Sequence, residues 1–181
     1  MEIQGSRTEQ NLWASFNGES AARAKYSLYA GQARRENLHR IAAVFDETAE
    51  NELAHAKLWL RALGRLGATE DNLAAAMDAE RFEWTHMYAE FERVAREEGF
   101  DDIAGQFGYA AAVEREHEAR FRGLWERLRQ GTLFTAPAPR RWRCRNCGYI
   151  HTGNAAPEIC PLCAHPRGWY EWDAGWCERL E

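Results

Sequence analysis

The chain has 181 residues, of which 45% are hydrophobic, and its net charge of −5 gives no sign of a nucleic-acid or anionic-membrane binder. No apolar run approaches the roughly 20 residues of a membrane span, and the N-terminus lacks the pattern of a secretory signal. All five cysteines lie beyond residue 143, which favours a reducing compartment and a metal site over a disulfide framework. We therefore expect a cytoplasmic protein with one ordinary domain and one small one.

The first two thirds of the chain have the composition and periodicity of helices. Residues 7–130 contain neither proline nor cysteine and are rich in good helix formers. Apolar side chains recur in alternating steps of four and three, which is the seam of a helix in a bundle. The pattern predicts a mainly α fold with four helices, at roughly 8–35, 37–65, 71–98 and 101–129. The short connections favour antiparallel neighbours.

Carboxylates occupy seam positions where leucine would be expected. Glu52 and Glu114 are each followed three residues later by a histidine, His55 or His117, and residues three apart share a helix face. A bare buried glutamate is strongly unfavourable and would normally protonate or be excluded, and a cation between facing carboxylates removes that penalty. A single Glu-x-x-His motif is usually two solvated surface residues, so the inference depends on both motifs together.

Two further glutamates, Glu19 and Glu83, complete a set of four. Counting about 1.5 Å per residue places all four roughly 22–26 Å from the turn of their own hairpin. One glutamate from each of two helices, with Glu-x-x-His from each of the other two, is the ligand set of a di-iron or di-manganese bundle. Oxygen and nitrogen ligands suit either metal. The helical part is therefore predicted to hold two metal ions.

A linker and a small cysteine-rich domain are predicted after the helices. GTLFTAPAPRR at 131–141 is rich in proline and small residues, and we place the domain boundary between 1–135 and 136–181. Beyond it, two CxxC pairs separated by twelve residues supply four candidate metal ligands: Cys144, Cys147, Cys160 and Cys163. In isolation such a motif more often holds structural zinc. A dimetal site needs electrons, however, and a one-electron iron held by four cysteines supplies them. Cys177 is interpreted as a free thiol without a role.

Five segments of the chain, in matching order, resemble the rubrerythrin family: GESAARAKYSLYA, FDETAENELAHAK, MYAEFERVAREEGF, AAVEREHEARF and WRCRNCGYIH…APEICPLCAHP. The resemblance covers nearly the whole chain. It implies a ferritin-like antiparallel four-helix bundle followed by a rubredoxin-like domain. It also implies that the four cysteines hold one iron. The di-iron ligands that it implies are Glu19, Glu52, His55, Glu83, Glu114 and His117.

One position departs from the family pattern. In EWTHMY, His86 stands where the family has another glutamate, which exchanges with the histidine at the position of His55 when the irons change oxidation state. His86 is therefore a further candidate ligand and catalytic residue. A hydrogen-bonding partner of the ligands and a neutral histidine packed in the core are the alternatives. The departure places the ligand exchange in doubt.

Together these features predict a non-haem di-iron peroxidase that reduces hydrogen peroxide to water, with electrons relayed through the four-cysteine iron, in defence against oxidative stress. The resemblance implies a separate NAD(P)H-linked reductase or rubredoxin-type donor and a head-to-tail homodimer. No nucleotide-binding fingerprint occurs in the chain. The alternatives are a ferroxidase or small iron store, and a non-enzymatic interaction module stabilised by zinc.

Overall fold

The computed structural model describes residues 3–173, so Cys177 lies outside the described residues. The chain divides into two compact units, residues 1–72 and 73–181. The first unit contains a hairpin of α1 (Arg7–Arg35) and α2 (His39–Ala62). The next helix, α3 (Thr69–Phe82), begins at the end of the first unit and continues into the second. There a π turn (Glu83–Met87), α4 (Tyr88–Glu97) and α5 (Asp101–Arg129) follow it. Within the described residues, these are the four predicted helices, with α3, the π turn and α4 counted as the third. A small sheet follows, so the predicted fold class is confirmed.

Each long helix ends in the same left-handed turn. Residues with positive φ follow the four helices: Asn37 (61°), Gly64 (66°), Gly99 (82°) and Gly131 (67°). The next residue donates its N–H to a carbonyl five positions earlier, for example Leu38 to Ala33 at 2.9 Å. This pattern satisfies carbonyls that the end of a helix leaves unpaired, and it turns the chain sharply. The short connections between antiparallel helices follow from it.

Alanines form the buried contacts of the first hairpin. Ala42, Ala49 and Ala56 are the buried residues of α2, at a strict spacing of seven, and Ala30 and Ala33 are those of α1. Each of these alanines directly follows a residue of the predicted apolar seam of this helix, namely Ile41, Thr48 or His55. Small side chains allow the two helix axes to approach closely. The predicted seam therefore marks the face beside this contact, where the carboxylates stand.

Among the described residues, a three-stranded antiparallel sheet with the order β2-β1-β3 follows the helices. Its strands are β1 (Thr135–Cys144), β2 (Ile150–Ala155) and β3 (Tyr170–Trp172). The prediction of a linker over 131–141 is wrong from Thr135 onward, because β1 begins there. Its prolines fall where the β1–β2 register is irregular, between Thr135 and Arg140, so no ladder hydrogen bond is lost to them. The domain boundary at 135/136 stays a prediction.

The end of α5 is tied to the start of the sheet domain. The Arg127 guanidinium donates to the carbonyl oxygens of Thr132 and Leu133, at 3.1 Å each, and more weakly to that of Thr135 at 3.4 Å. The core of the sheet domain consists of Trp142, Cys144, Ala156, Cys160 and Tyr170. Two of these five core residues are cysteines. Among the described residues, no helix is long and apolar enough to cross a membrane.

Candidate metal centres

The four predicted cysteine ligands converge in the small domain. Their sulfur atoms all lie within 4.8 Å of one another. The Cys144–Cys163 and Cys147–Cys160 sulfur pairs are both 3.7 Å apart. A disulfide would require about 2.05 Å, whereas four sulfurs at about 2.3 Å from a central tetrahedral metal would be separated by about 3.8 Å. The spacing therefore fits a metal ion.

The two CxxC loops have the same backbone conformation. Gly148 (φ 79°) and Ala164 (φ 58°) each follow the second cysteine of a loop in the left-handed region. Each donates its N–H to the carbonyl of the first cysteine, at 2.8 Å and 2.9 Å. Further backbone N–H groups, among them those of Tyr149 and His165, donate to the sulfurs. Such N–H groups favour the thiolate, which is the form that binds metal.

The pKa values of Cys163 and Cys147 are shifted in opposite directions. The pKa of Cys163 is lowered to about 6, chiefly by the N–H of His165. The N–H of Tyr149 also lowers the pKa of Cys147, but burial and the three neighbouring sulfurs raise it to about 12. Four thiolates at this separation repel one another strongly. A metal cation removes that repulsion, so the donor set fits one metal ion.

A first carboxylate–histidine group, the first triad, lies on the α1–α2 hairpin and consists of Glu19, Glu52 and His55. His55 Nδ1 is 3.0 Å from Glu52 Oε2 and 3.8 Å from Glu19 Oε1. The side chains of Glu19 and Glu52 are 28% and 16% exposed, so both carboxylates are largely shielded from water. The structure therefore brings these three predicted residues together.

A second group, the second triad, lies on the other helical hairpin and consists of Glu80, Glu114 and His117. His117 Nδ1 is 2.6 Å from Glu114 Oε2 and 3.7 Å from Glu80 Oε2, which repeats the arrangement of the first triad. Burial raises the pKa of Glu80, and a hydrogen bond with the Glu114 carboxyl and its charge raise it further. Two carboxyl groups that share a proton would release it to a cation, so this triad also fits a metal ion.

Glu80 takes the place in this group that the sequence analysis gave to Glu83. Glu83 lies close enough for its charge to raise the pKa of Glu80, but it is not one of the three gathered ligands. It begins the π turn, in which Tyr88 N–H donates to the Glu83 carbonyl five residues earlier. A π turn contains one residue more than an α turn and shifts the following side chains by about 100°. An α-helical count back from Gly99 therefore fails at this point.

A corrected count would have found Glu80 in the sequence. Glu19 precedes the left-handed residue Asn37 by 18 positions, and Glu80 precedes Gly99 by 19. In both hairpins the Glu-x-x-His glutamate follows that residue by 15 positions. The single extra residue is the one that the π turn contains. Apart from that extra residue, the spacings of the candidate ligands in the two hairpins are the same.

Aromatic clusters confirm where the extra residue lies. Two clusters of three rings match each other in their positions relative to the turns: Tyr26, Tyr29 and Phe45 in the first hairpin, and Tyr88, Phe91 and Phe107 in the second. Tyr26 and Tyr88 both stand 11 positions before the turn. The register between the hairpins is therefore shifted between Glu80 and Tyr88, which is the segment that contains the π turn.

Tyr88 adds a hydroxyl group near the second triad. Its pKa is raised by burial and then by the charges of Glu114, Glu83 and Glu80. The phenol therefore stays protonated at neutral pH. A neutral hydroxyl beside three carboxyl groups is a hydrogen-bond donor for the ligands of this site or for a bound oxygen species.

His86 does not join the second triad. Its side chain is exposed, its ring stacks on Phe82 at 5.6 Å, and its Nδ1 lies 2.6 Å from the Thr85 hydroxyl. In the second unit its contacts are thus with residues of its own helix. His86, a candidate ligand in the sequence analysis, is therefore not one of the three gathered residues.

A buried acid next to the second triad fastens the π turn to α5. Glu118 is 6% exposed and follows His117 directly. Its Oε2 accepts a hydrogen bond of 2.8 Å from Trp84 Nε1, and its other oxygen pairs with Arg122. The Trp84 hydrogen bond is the main cause that lowers the pKa of Glu118. The carboxylate therefore stays ionised. Its contact with Trp84 joins α5, which carries Glu114, to the π turn that directly follows the helix carrying Glu80.

Comparison with known proteins agrees with these two kinds of centre. Residues 10–125 match the family model described as Rubrerythrin, and residues 142–171 match the one described as Rubrerythrin, rubredoxin-like domain. The chain is 41% identical over 182 residues to rubrerythrin of Nitratidesulfovibrio vulgaris, and the matched region covers 93% of this chain and 95% of that protein. It is 42% identical to rubrerythrin of Porphyromonas gingivalis, with 93% of this chain and 91% of that protein covered.

A solved structure described as "Partially Reduced State of Nigerythrin" is 30% identical, covers 92% of this chain and 86% of that one, and has a TM-score of 0.36. The family models and the curated relatives span both the helices and the four-cysteine domain. The cofactors are accordingly a di-iron centre with carboxylate and histidine ligands and a rubredoxin-like four-cysteine metal site. The chain belongs to the rubrerythrin family, whose members are oxidoreductases.

Proposed function

We propose that this chain is a non-haem di-iron peroxidase that reduces hydrogen peroxide to water, with electrons relayed through an iron in the four-cysteine site. The balance is one peroxide, two protons and two electrons for two waters. The observation that supports it most is that one chain combines two matching carboxylate–histidine triads with four sulfurs at metal-binding spacing. A peroxide-reducing site consumes electrons, and an iron held by four thiolates delivers them one at a time.

The two triads are proposed to be the protein ligands of the di-iron centre. Each offers a histidine Nδ1 that faces two carboxylates, and together they carry four negative charges, which balance two divalent ions. When bound, the iron pair supplies two electrons and open coordination positions for a small oxidant. Glu83 and Tyr88 lie near the second triad and provide further oxygen atoms there.

The four-cysteine domain is proposed to receive its electrons from a separate NAD(P)H-linked reductase or a rubredoxin-type protein in the cytoplasm. The ferrous and ferric forms of a four-thiolate iron differ by one electron without a change of ligands. A homodimer remains part of the proposal, because Glu114 is 15 positions from the last residue of α5, about 22 Å along the helix. Transfer between protomers would shorten that path.

A stopped-flow experiment tests the relay. The iron-loaded chain is reduced without oxygen and mixed with hydrogen peroxide, and the red absorbance of the ferric four-cysteine site is followed. We expect the colour to return fast and in proportion to the peroxide added. The matched control is the Glu52→Ala, Glu114→Ala variant, which keeps the four-cysteine site and should regain colour much more slowly.

Three outcomes would contradict the peroxidase. If the variant regains colour as fast as the parent chain, the di-iron centre does not transmit the electrons. If ferrous iron is oxidised quickly by dioxygen while peroxide turnover stays slow, the chain is a ferroxidase. A chain purified with zinc in the four-cysteine site and without iron in the helices would instead support a structural module.

A further inference from the structure

Tyr170 is a buried phenol in the core of the four-cysteine domain. It is the first residue of β3, and it pairs in register with Cys144 on β1. The residue is 4% exposed, and it packs in one cluster with Cys144 and Cys160. Its aromatic ring therefore contributes to the core that surrounds the metal site, while its hydroxyl group is removed from water.

The Tyr170 hydroxyl has no well-aligned hydrogen-bond partner among the described residues. Buried polar groups are nearly always paired, so an orphaned hydroxyl next to a metal site requires an explanation. The sulfur of Cys160 is the acceptor at hand. Cys160 is itself only 1% exposed and lies in the same buried cluster as Tyr170, so its sulfur is removed from water together with the phenol.

We propose that the Tyr170 hydroxyl donates a hydrogen bond to the Cys160 thiolate when the four-cysteine site holds iron, and that this bond raises the reduction potential of the iron. The inference rests on the proposed function insofar as it assigns iron to this site. Tyr170 acts through Cys160, so it is a positioning and tuning residue and not a catalytic one.

The direction of the effect follows from charge. Four thiolates give the site one more negative charge in the ferrous form than in the ferric form. A hydrogen-bond donor on sulfur stabilises the more negative form more strongly. The donor therefore makes the four-cysteine iron easier to reduce by its partner and a milder reductant toward the di-iron centre. Tyr170 would thus set the reduction potential at which the four-cysteine iron accepts and donates electrons.

The test compares the full-length, iron-loaded chain with its Tyr170→Phe variant, which removes one oxygen atom and keeps the ring. Spectroelectrochemical titration should give a lower midpoint potential for the variant. Its sulfur-to-iron charge-transfer band should move to lower energy, because the sulfur becomes a better electron donor. Tyr149→Phe is the matched control, since Tyr149 packs against the same cluster and is expected to leave both quantities unchanged.

An unchanged midpoint in Tyr170→Phe, or an equal change in Tyr149→Phe, would overturn the proposal. A measurement on the unmodified chain covers the case in which the variant does not fold. With ¹¹³Cd in the four-cysteine site, a hydrogen bond predicts a scalar coupling between the metal and the Tyr170 hydroxyl proton, and its absence counts against the bond. Neither readout involves peroxide turnover, so a failed peroxidase assay with a shifted midpoint would refute only the proposed function.

Discussion

A histidine that faces two carboxylates is the repeated unit of the candidate di-iron ligands. His55 Nδ1 and His117 Nδ1 each have a near glutamate three positions earlier and a second one on the neighbouring helix. The Glu-x-x-His pairs were visible in the sequence because residues three apart on an α-helix share a face. Glu80 was not identified, because the rule of 3.6 residues per turn does not hold through a π turn.

Alanine substitutions test whether Glu80, and not the exposed His86, is a ligand of the di-iron centre. We expect Glu80→Ala to weaken ferrous iron binding to the helical part by more than about tenfold, because loss of a direct ligand exceeds the effect of losing an outer hydrogen bond. His86→Ala should bind as much iron as the parent chain. Anaerobic ferrous titration with a colorimetric iron assay measures both, and the four-cysteine iron serves as the internal reference. Iron loss in Glu83→Ala with full loading in Glu80→Ala would restore the original assignment of Glu83.

At the level of elements, the π turn is the feature that distinguishes the two hairpins. It occurs in the second hairpin, and the hydrogen bond from Trp84 to Glu118 connects it to α5. At the matching positions the first hairpin has Arg23 and Ala56, so the same contact is not possible there. A turn with displaced backbone hydrogen bonds is less stable than an α turn. A buried, charge-assisted side-chain bond is a physical means of holding it in place.

Removing that bond should destabilise the second hairpin. Glu118→Ala leaves Trp84 Nε1 and Arg122 without their acceptor, and we expect it to lower the free energy of unfolding by about 2–3 kcal/mol. Glu118→Gln keeps an acceptor for Trp84 and should lose less. Urea denaturation followed by the helical circular-dichroism signal measures both variants. Glu97→Ala, which breaks an exposed pair with Arg93, is the control and should change stability by less than about 0.5 kcal/mol. Equal effects of Glu118→Ala and Glu97→Ala would mean that the bond is not stabilising.

At the level of the whole molecule, the helical part and the small domain depend on metal to different degrees. The helices carry their own backbone hydrogen bonds, and alanine contacts hold the first hairpin. Among its described residues, the small domain has a core of five buried side chains, of which Cys144 and Cys160 are proposed ligands. A domain of this size cannot bury enough apolar surface to fold without its metal.

Metal removal should therefore unfold one part of the chain. After chelation under reducing conditions, we expect residues of β1, β2 and β3 to lose hydrogen-exchange protection while α1, α2 and α5 keep most of theirs. Hydrogen exchange read by mass spectrometry resolves the two parts. Cys147→Ser is the variant that should behave similarly without a chelator. Loss of protection in all helices together with the strands would contradict this separation.

The spacing of residues along the chain was enough to predict the four helices, the two Glu-x-x-His pairs and the four-cysteine motif. Five segments that resemble rubrerythrins were enough to predict the family. The helix ends were predictable as well, because Gly and Asn readily adopt the left-handed conformation that the turns require. The π turn, the place of Glu80 beside Glu114, the strand within the supposed linker and the burial of the Tyr170 hydroxyl became visible only in the folded chain. These features depend on which side chains meet across elements, and no periodicity along a single chain records such contacts.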